Sequence, residues 1–266
     1  MKQFALITGA SKGIGLAFAE ILARQGNNLF LVARDEKNLV FLKKRLENDF
    51  SVEVIIFPAD LSVPELLPDL FNFIRGNNIE INILINNAAL GYCGRYFDLE
   101  WEEEMRMVNL NIVSHICITK YFLNKMLKTN FGVIINVIST VAFVPGPYSV
   151  SYSASKAYLL SYTESLAEEI RGSQIRLMAL CPGPTRTEFH RKSGLPVSES
   201  ELKHMPGAEQ VAKYCWDFIK KKKVVIIYGW KNKILVFLAR IMPVCFLGMA
   251  IGNLKRKKLR YRKICL

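Results

Sequence analysis

Cysteine and histidine are scarce in this 266-residue chain, and neither is arranged for metal chemistry. The six cysteines (Cys93, Cys117, Cys181, Cys215, Cys245 and Cys265) include no C-x-x-C pair, so neither a zinc site nor a disulfide framework has support. They read as reduced, packed residues. Of the three histidines, His115 falls in an apolar helical pattern and reads as packed, whereas His190 and His204 fall in a loop expected at the surface. No G-x-S-x-G elbow surrounds any serine, which argues against a hydrolase built on Ser139 and His115. The opening "MKQFALITGA" holds one lysine and four apolar residues in a row before a Thr-Gly turn, too short for a secretory leader. A reducing cytoplasm is the expected compartment.

Acidic residues are nearly absent from the C-terminal part, where basic ones are abundant. The net charge of +13 at first suggests a nucleic-acid binder. Residues 1–212, however, hold 21 Lys/Arg against 22 Asp/Glu, while residues 213–266 hold 15 against Asp217 alone. The excess belongs to the tail, and no nucleic-acid partner is expected.

An apolar content of 51% over this length is that of a globular α/β chain with a sizeable core. Short aliphatic runs ("FALIT", "LFLVAR", "VEVIIF", "INILIN", "GVIINVIS", "IRLMAL", "KVVIIY") predict seven strands. Between them lie helix-length stretches at 15–25, 36–48, 64–75, 99–128 and 152–171. Near-continuous apolar strands alternating with helices imply a doubly wound, Rossmann-type parallel sheet with helices on both faces. With no repeat and no low-complexity linker, the chain reads as one domain over 1–230 and a C-terminal extension over 231–266.

Ligands of such sheets bind beyond the carboxyl ends of the strands, where strand order reverses. There "TGASKGIG", Thr8 to Gly15, follows the first strand and opens the first helix. Gly9, Gly13 and Gly15 allow a tight turn and close approach of backbone to a pyrophosphate at the helix N-terminus. At the end of strand two, where an acidic residue would bind the ribose of NAD, this chain has Arg34, with Lys12 inside the glycine turn. Two cations near that ribose favour NADP(H) over NAD(H). The alternatives are that Arg34 is a solvated helix-start residue, or that Asp35 reaches a ribose hydroxyl.

Further along, "SVSYSASKAYLL" places Tyr152 and Lys156 four apart, on one face of a helix. A cation beside a phenol lowers its pKa toward the range useful for proton transfer. Such a pair also occurs on solvated helix faces, and needs other motifs to give it meaning.

Those motifs are present. "TGASKGIG" at 8–15, "NNAA" at 86–89, Asn109 in "MVNLN", Ser139 in "NVIST", Tyr152-x-x-x-Lys156 and "CPGPTRT" at 181–187 resemble, in order and spacing, the short-chain dehydrogenases/reductases. The resemblance spans about residues 3 to 230 and departs at Ala89, where the family has glycine. It implies hydride transfer between a nicotinamide and a carbonyl or alcohol carbon. Tyr152 would be the general acid, Lys156 would tune it and hold the ribose, Ser139 would bond the carbonyl oxygen, and Asn109 would hold a water beside Lys156. It further implies cofactor contacts from Gly9, Ser11, Lys12, Gly13, Ile14 and Gly15, from Arg34, Asp60 and Leu61, from Asn87 and Ala88, and from Pro182, Gly183 and Thr187. Asp60 reads equally well as a helix cap before Pro64. A homodimer or homotetramer through the helices at 99–128 and 152–171 is also implied. The non-catalytic alternative is a dinucleotide-binding regulator or membrane scaffold.

Val141, Phe143, Val144, Pro145 and Tyr148, with Phe189, Leu195, Pro196 and Val197, suggest a lipophilic substrate, or else a lid packed on the body. In the extension, an apolar segment at 234–254 precedes "KRKKLRYRK". Arg240 and Pro243 argue against a bilayer span. Contact with the inner membrane surface through 231–263 and a helix covering the cleft or a subunit interface are the two readings.

Overall fold

Strands that are buried on both faces have no reason to alternate polar and apolar residues, and the seven aliphatic runs become seven strands. In the computed structural model, which describes residues 2–194 and 197–264, these are β1 (Gln3–Thr8), β2 (Asn28–Ala33), β3 (Val54–Pro58), β4 (Glu80–Asn86), β5 (Val133–Val137), β6 (Arg176–Cys181) and β7 (Val225–Ile227). All neighbours pair in parallel, in the order β3-β2-β1-β4-β5-β6-β7. The chain winds outward from β1 to β3, then returns to place β4 against β1. That reversal opens a crevice at the carboxyl ends of β1 and β4.

The helices are α1 (Gly13–Arg24), α2 (Glu36–Phe50), α3 (Leu67–Gly76), α4 (Trp101–Val108), α5 (His115–Thr129), α6 (Val150–Glu169), α7 (Phe189–Lys192), α8 (Glu199–His204), α9 (Ala208–Asp217), α10 (Trp230–Ile241) and α11 (Val244–Ile264). Two apolar layers cover the sheet. One sets Phe18, Leu22 and Leu39 with Val211 against Ile7, Leu31 and Leu180. The other sets Leu70, Ile118 and Phe122 against Leu6, Phe30 and Leu84. Leu195, Pro196 and Cys265 lie outside the described residues.

The single helix expected over 99–128 is interrupted. Residues Asn109–Ser114 form a π-helical stretch between α4 and α5, and the extra residue in the turn re-aims the side chains that follow. Three polar side chains are buried there, and each finds a backbone partner: Asn111 bonds to Leu90, Ser114 to the Leu61 carbonyl, and His115 Nδ1 to the Leu110 carbonyl at 3.0 Å. His115 is packed, as expected, and burial first and the Lys156 charge second push its pKa down to about 3.

A buried polar chain ties this layer to the sheet. Asn86 Nδ2 donates to Thr119 Oγ1 at 2.9 Å and to Asn136 Oδ1 at 3.0 Å. Asn136 Nδ2 donates in turn to Thr163 Oγ1 at 2.9 Å. The chain therefore links α5, β4, β5 and α6, and Asn86 and Asn136 are register partners.

Asn136→Ala is expected to destabilise the fold by about 1–3 kcal/mol, because Thr163 and Asn86 lose a buried partner; a thermal midpoint unchanged from the parent would contradict this. His115 binds its proton more weakly folded than unfolded, so stability rises with pH from about 3 to 6.5 and is lost as pH falls through that window. His115→Asn, which keeps a donor but does not titrate there, should flatten this part of the midpoint-against-pH curve.

Candidate active site

The crevice begins with the glycine turn. Gly9 and Gly13 have φ of +64° and +59°, backbone that a side chain would strain. A methyl at Gly15 would overlap the Gly9 carbonyl and the Asn87 amide. Asn87 Nδ2 clasps the turn by donating to the carbonyls of Thr8 and Gly9 at 3.0 and 3.1 Å. Thr8 Oγ1 accepts from the backbone N–H groups of Asn87 and Ala88, both at 3.0 Å. The ends of β1 and β4 are thus locked together. Helix α1 has no side-chain cap and no acidic residue in its first turn, which suits a phosphate-bearing ligand at its N-terminus.

Gly9, Ser11, Lys12, Gly13, Ile14, Asn87, Ala88, Ser139, Tyr152, Lys156, Pro182 and Thr187 line one cleft of about 250 Å³. Gly15 lies beneath the turn, and Gly183 packs against the Asn232 side chain. Leu61 is buried beside Ser114. Arg34 and Asp60 form a separate charged group, with Arg34 Nη1 and Arg106 Nη2 at 3.5 and 3.4 Å from Asp60 Oδ2. Burial alone would raise the Asp60 pKa, but hydrogen bonds from the Ser62 hydroxyl and N–H, then the two arginines, hold it below the usual value. Asp35 is committed as the N-cap of α2, accepting from the Asn38 N–H. Lys12 Nζ pairs with Glu188 at 2.9 Å.

Ser139, Tyr152 and Lys156 come together where β5 ends and α6 begins. Lys156 is 1% exposed, and its Nζ donates to the Val137 carbonyl at 3.0 Å. Desolvation brings its pKa down to about 8. Tyr152 is half-buried at the cleft, and desolvation pushes its pKa up to about 12, opposed by the Ser139 hydroxyl beside it. The expected lowering of the phenol by Lys156 is therefore not seen. The ammonium is 5.9 Å from the phenol ring centroid and is directed to a backbone oxygen, so desolvation of the phenol dominates.

Asn109, expected to hold a water beside Lys156, makes no direct hydrogen bond to Ser139, Tyr152 or Lys156 among the described residues, whereas Asn111, fully buried two positions on, accepts from the Leu90 N–H and donates to the Leu90 carbonyl and to Ser155 Oγ. Ser155 donates to the Tyr152 carbonyl at 2.7 Å. The readable signal was the spacing Asn111, Ser114/His115, Ile118, Phe122, which makes Asn111 part of the inward stripe.

Phe189 covers the phenol. Its ring centroid is 5.4 Å from that of Tyr152, and both rings approach Gly91 so closely that a methyl there would strike them. His190, expected at the surface, instead lines the cleft, with Nε2 2.9 Å from the Thr185 carbonyl. The apolar residues after Ser139 face elsewhere. Phe143 lies beneath Arg240 and Pro145 beside Gly248, while the Tyr148 hydroxyl accepts from Arg256. They form a seat for the C-terminal extension.

Comparison with known proteins agrees with this geometry. The family model for short chain dehydrogenase matches residues 3–196. A 7beta-hydroxysteroid dehydrogenase of Mediterraneibacter gnavus is 28% identical over 233 residues, covering 87% of this chain and 88% of the relative. A solved 7beta-hydroxysteroid dehydrogenase superposes with a TM-score of 0.86 at 26% identity, over 94% of this chain and 96% of the other. A short-chain dehydrogenase from Sphingobium yanoikuyae in complex with NADPH gives 0.80 at 30% identity, over 90% and 93%. One from Burkholderia phymatum in complex with NAD gives 0.78 at 25%, over 89% and 92%. A Rossmann-type sheet, a glycine turn clasped by Asn87, and a Ser139, Tyr152 and Lys156 cluster in one cleft accompany a family match over most of the chain: it belongs to the short-chain dehydrogenases, oxidoreductases acting on hydroxyl and keto groups.

Proposed function

We propose that the chain is an NADP(H)-dependent carbonyl reductase, or the corresponding alcohol dehydrogenase, for a lipophilic ketone, aldehyde or secondary alcohol. The observation that carries the reading is the convergence of Ser139, Tyr152 and a buried Lys156 on the cleft opened by the glycine turn. A protein that only bound a dinucleotide would gain nothing from a desolvated phenol and amine at that point.

The residues fit a dinucleotide. Gly9, Gly13 and the uncapped start of α1 suit its pyrophosphate, and Lys156 suits the nicotinamide ribose. When bound, the reduced nicotinamide supplies the hydride. Tyr152 delivers a proton to the substrate oxygen, and Ser139 donates a hydrogen bond to the same oxygen as negative charge develops. A phenol held near 12 is fully protonated at neutral pH, the form that reduction requires, and the nascent alkoxide is a far stronger base than the phenolate. Asn111 acts as a positioning residue, fixing Ser155 and through it the first turn of α6. A lipophilic substrate is supported by Phe189 over the phenol and by similarity to a dehydrogenase named for a hydroxysteroid.

Coenzyme preference rests on Lys12 and Arg34. Both are paired with carboxylates, but the pairs are exposed or half-buried and worth about 0–1 kcal/mol. A dianionic 2′-phosphate can take over those cations. Similarity to an NADPH-bound neighbour is consistent with this, although the family also includes NAD-bound members.

Tyr152→Phe should keep the fold and NADPH binding while losing at least about 10²-fold in turnover; retention of most activity, measured by NADPH consumption over a carbonyl panel, would overturn the assignment. kcat/KM with NADPH is expected to exceed that with NADH by about tenfold or more, since one well-placed charge contact to phosphate contributes about that much. Arg34→Asp should narrow or reverse the ratio. Equal efficiency with both coenzymes in the parent would refute the preference.

A further inference from the structure

Helix α10 presents its large apolar residues to solvent. Trp230, Ile234, Phe237, Leu238 and Ile241 recur at i, i+4, i+7, i+8 and i+11, one stripe of an α-helix, and each is 45–67% exposed. The opposite face carries the small contacts with the body: Val236 and Ala239 are buried, and Asn232 packs on Gly183. The apolar surface continues into α11 through Val244, Phe246 and Met249, each 56–66% exposed. A contiguous exposed patch of this kind marks an interaction site.

Charge identifies what would cover it. From residue 230 to the end, the sequence holds ten Lys/Arg and no Asp or Glu. On the helix, Lys231 and Lys233 fall on either side of the stripe; the Lys231 ammonium lies over the Trp230 ring and that of Lys233 on the Tyr214 hydroxyl at 3.0 Å, both exposed contacts that the long stems can exchange for headgroups while apolar neighbours sink deeper. Arg240, the one charge within the apolar segment, is directed to the body. Its guanidinium lies 3.8 Å from Glu164 and 5.2 Å from the Phe143 ring centroid. Among the described residues no helix is long and apolar enough to cross a membrane, so the face suits lying on a bilayer rather than spanning it. A second copy fits poorly, because a two-fold contact would bring two strongly basic faces together.

We propose that α10 and the first turns of α11 dock on an anionic lipid bilayer surface, with the Trp230 to Ile241 stripe in the acyl boundary and the flanking Lys231 and Lys233 against the headgroups. This assignment is independent of the coenzyme and substrate.

The test is flotation of the full chain with phosphatidylcholine vesicles, with or without phosphatidylglycerol, at about 50 mM and about 0.5 M salt, across which screening changes severalfold. Binding is expected with the anionic vesicles at low salt, and about tenfold less without phosphatidylglycerol or at high salt. Phe237→Glu with Ile241→Glu should abolish flotation while leaving NADPH-linked carbonyl reduction and the mass by light scattering unchanged. If that pair fails to fold by circular dichroism, Phe237→Ser gives the same readout with a smaller loss. A chain that stays unbound with anionic vesicles at low salt overturns the proposal. So does a substitution that lowers the assembly mass without changing flotation, which would identify the face as an interface between copies.

Discussion

A primary amine buried at the end of a strand is the constraint on which the rest of this molecule depends. Lys156 is 1% exposed and, among the described residues, its ammonium has one hydrogen-bond acceptor, the Val137 carbonyl. An ammonium has three donors, so most of its hydrogen-bonding capacity is left for whatever enters the cleft. Desolvation has already moved it toward neutrality, to about 8. Binding an electron-rich diol or phosphate nearby therefore returns some of the solvation that folding removed. The amine is useful because it is poorly satisfied by the protein alone.

Holding such a group still requires rigid surroundings, and polar bonds supply them. Helix α6 turns Ser153, Ser155, Lys156 and Thr163 inward, a face that hydropathy would assign to solvent. Each hydroxyl has a partner: Ser153 on the carbonyls of Ser149 and Val150, Ser155 on that of Tyr152, and Thr163 on that of Leu159, where it also accepts from Asn136. From Asn136 the chain runs to Asn86, one residue before the amide that clasps the glycine turn. The glycine turn and the Tyr152 end of the cleft are thus connected through adjacent asparagines, the last residue of β4 and the one after it.

The parts legible in the sequence were those that local rules govern. Uninterrupted aliphatic runs revealed the parallel strands, and a glycine turn between strand and helix has few other uses. The role of Asn111 was not legible in the same way, because Asn109 and Asn111 stand in one "NLN" and the π-helical stretch decides which faces inward. The state of Tyr152 was hidden for a different reason. Spacing puts Lys156 on the same helix face, but only the tertiary structure shows that the amine goes to Val137 and that Phe189 packs on the phenol ring. Likewise, the apolar residues after Ser139 looked equally suited to a pocket or to packing. Phe143, Pro145 and Tyr148 pack, because the extension lies over them.

That extension bears on the chemistry through geometry. In the proposed reaction Ser139 and Tyr152 would meet at one substrate oxygen, yet they are thirteen residues apart in the sequence. The segment between them is irregular after the turn at Thr140–Phe143, and Tyr148 sits at φ +61°. Strand pairing does not hold it; contacts from the body, such as the Gly94 N–H on the Tyr148 carbonyl at 2.9 Å and Phe143 on the Leu159 cluster, and from the tail do. Arg240 covers Phe143, Gly248 and Gly252 pack on Pro145 and Pro147, Arg256 bonds the Tyr148 hydroxyl, and Lys255 Nζ donates to Ser149 Oγ at 3.0 Å. The same two helices therefore present an apolar surface outward and pack inward on the segment between Ser139 and Tyr152.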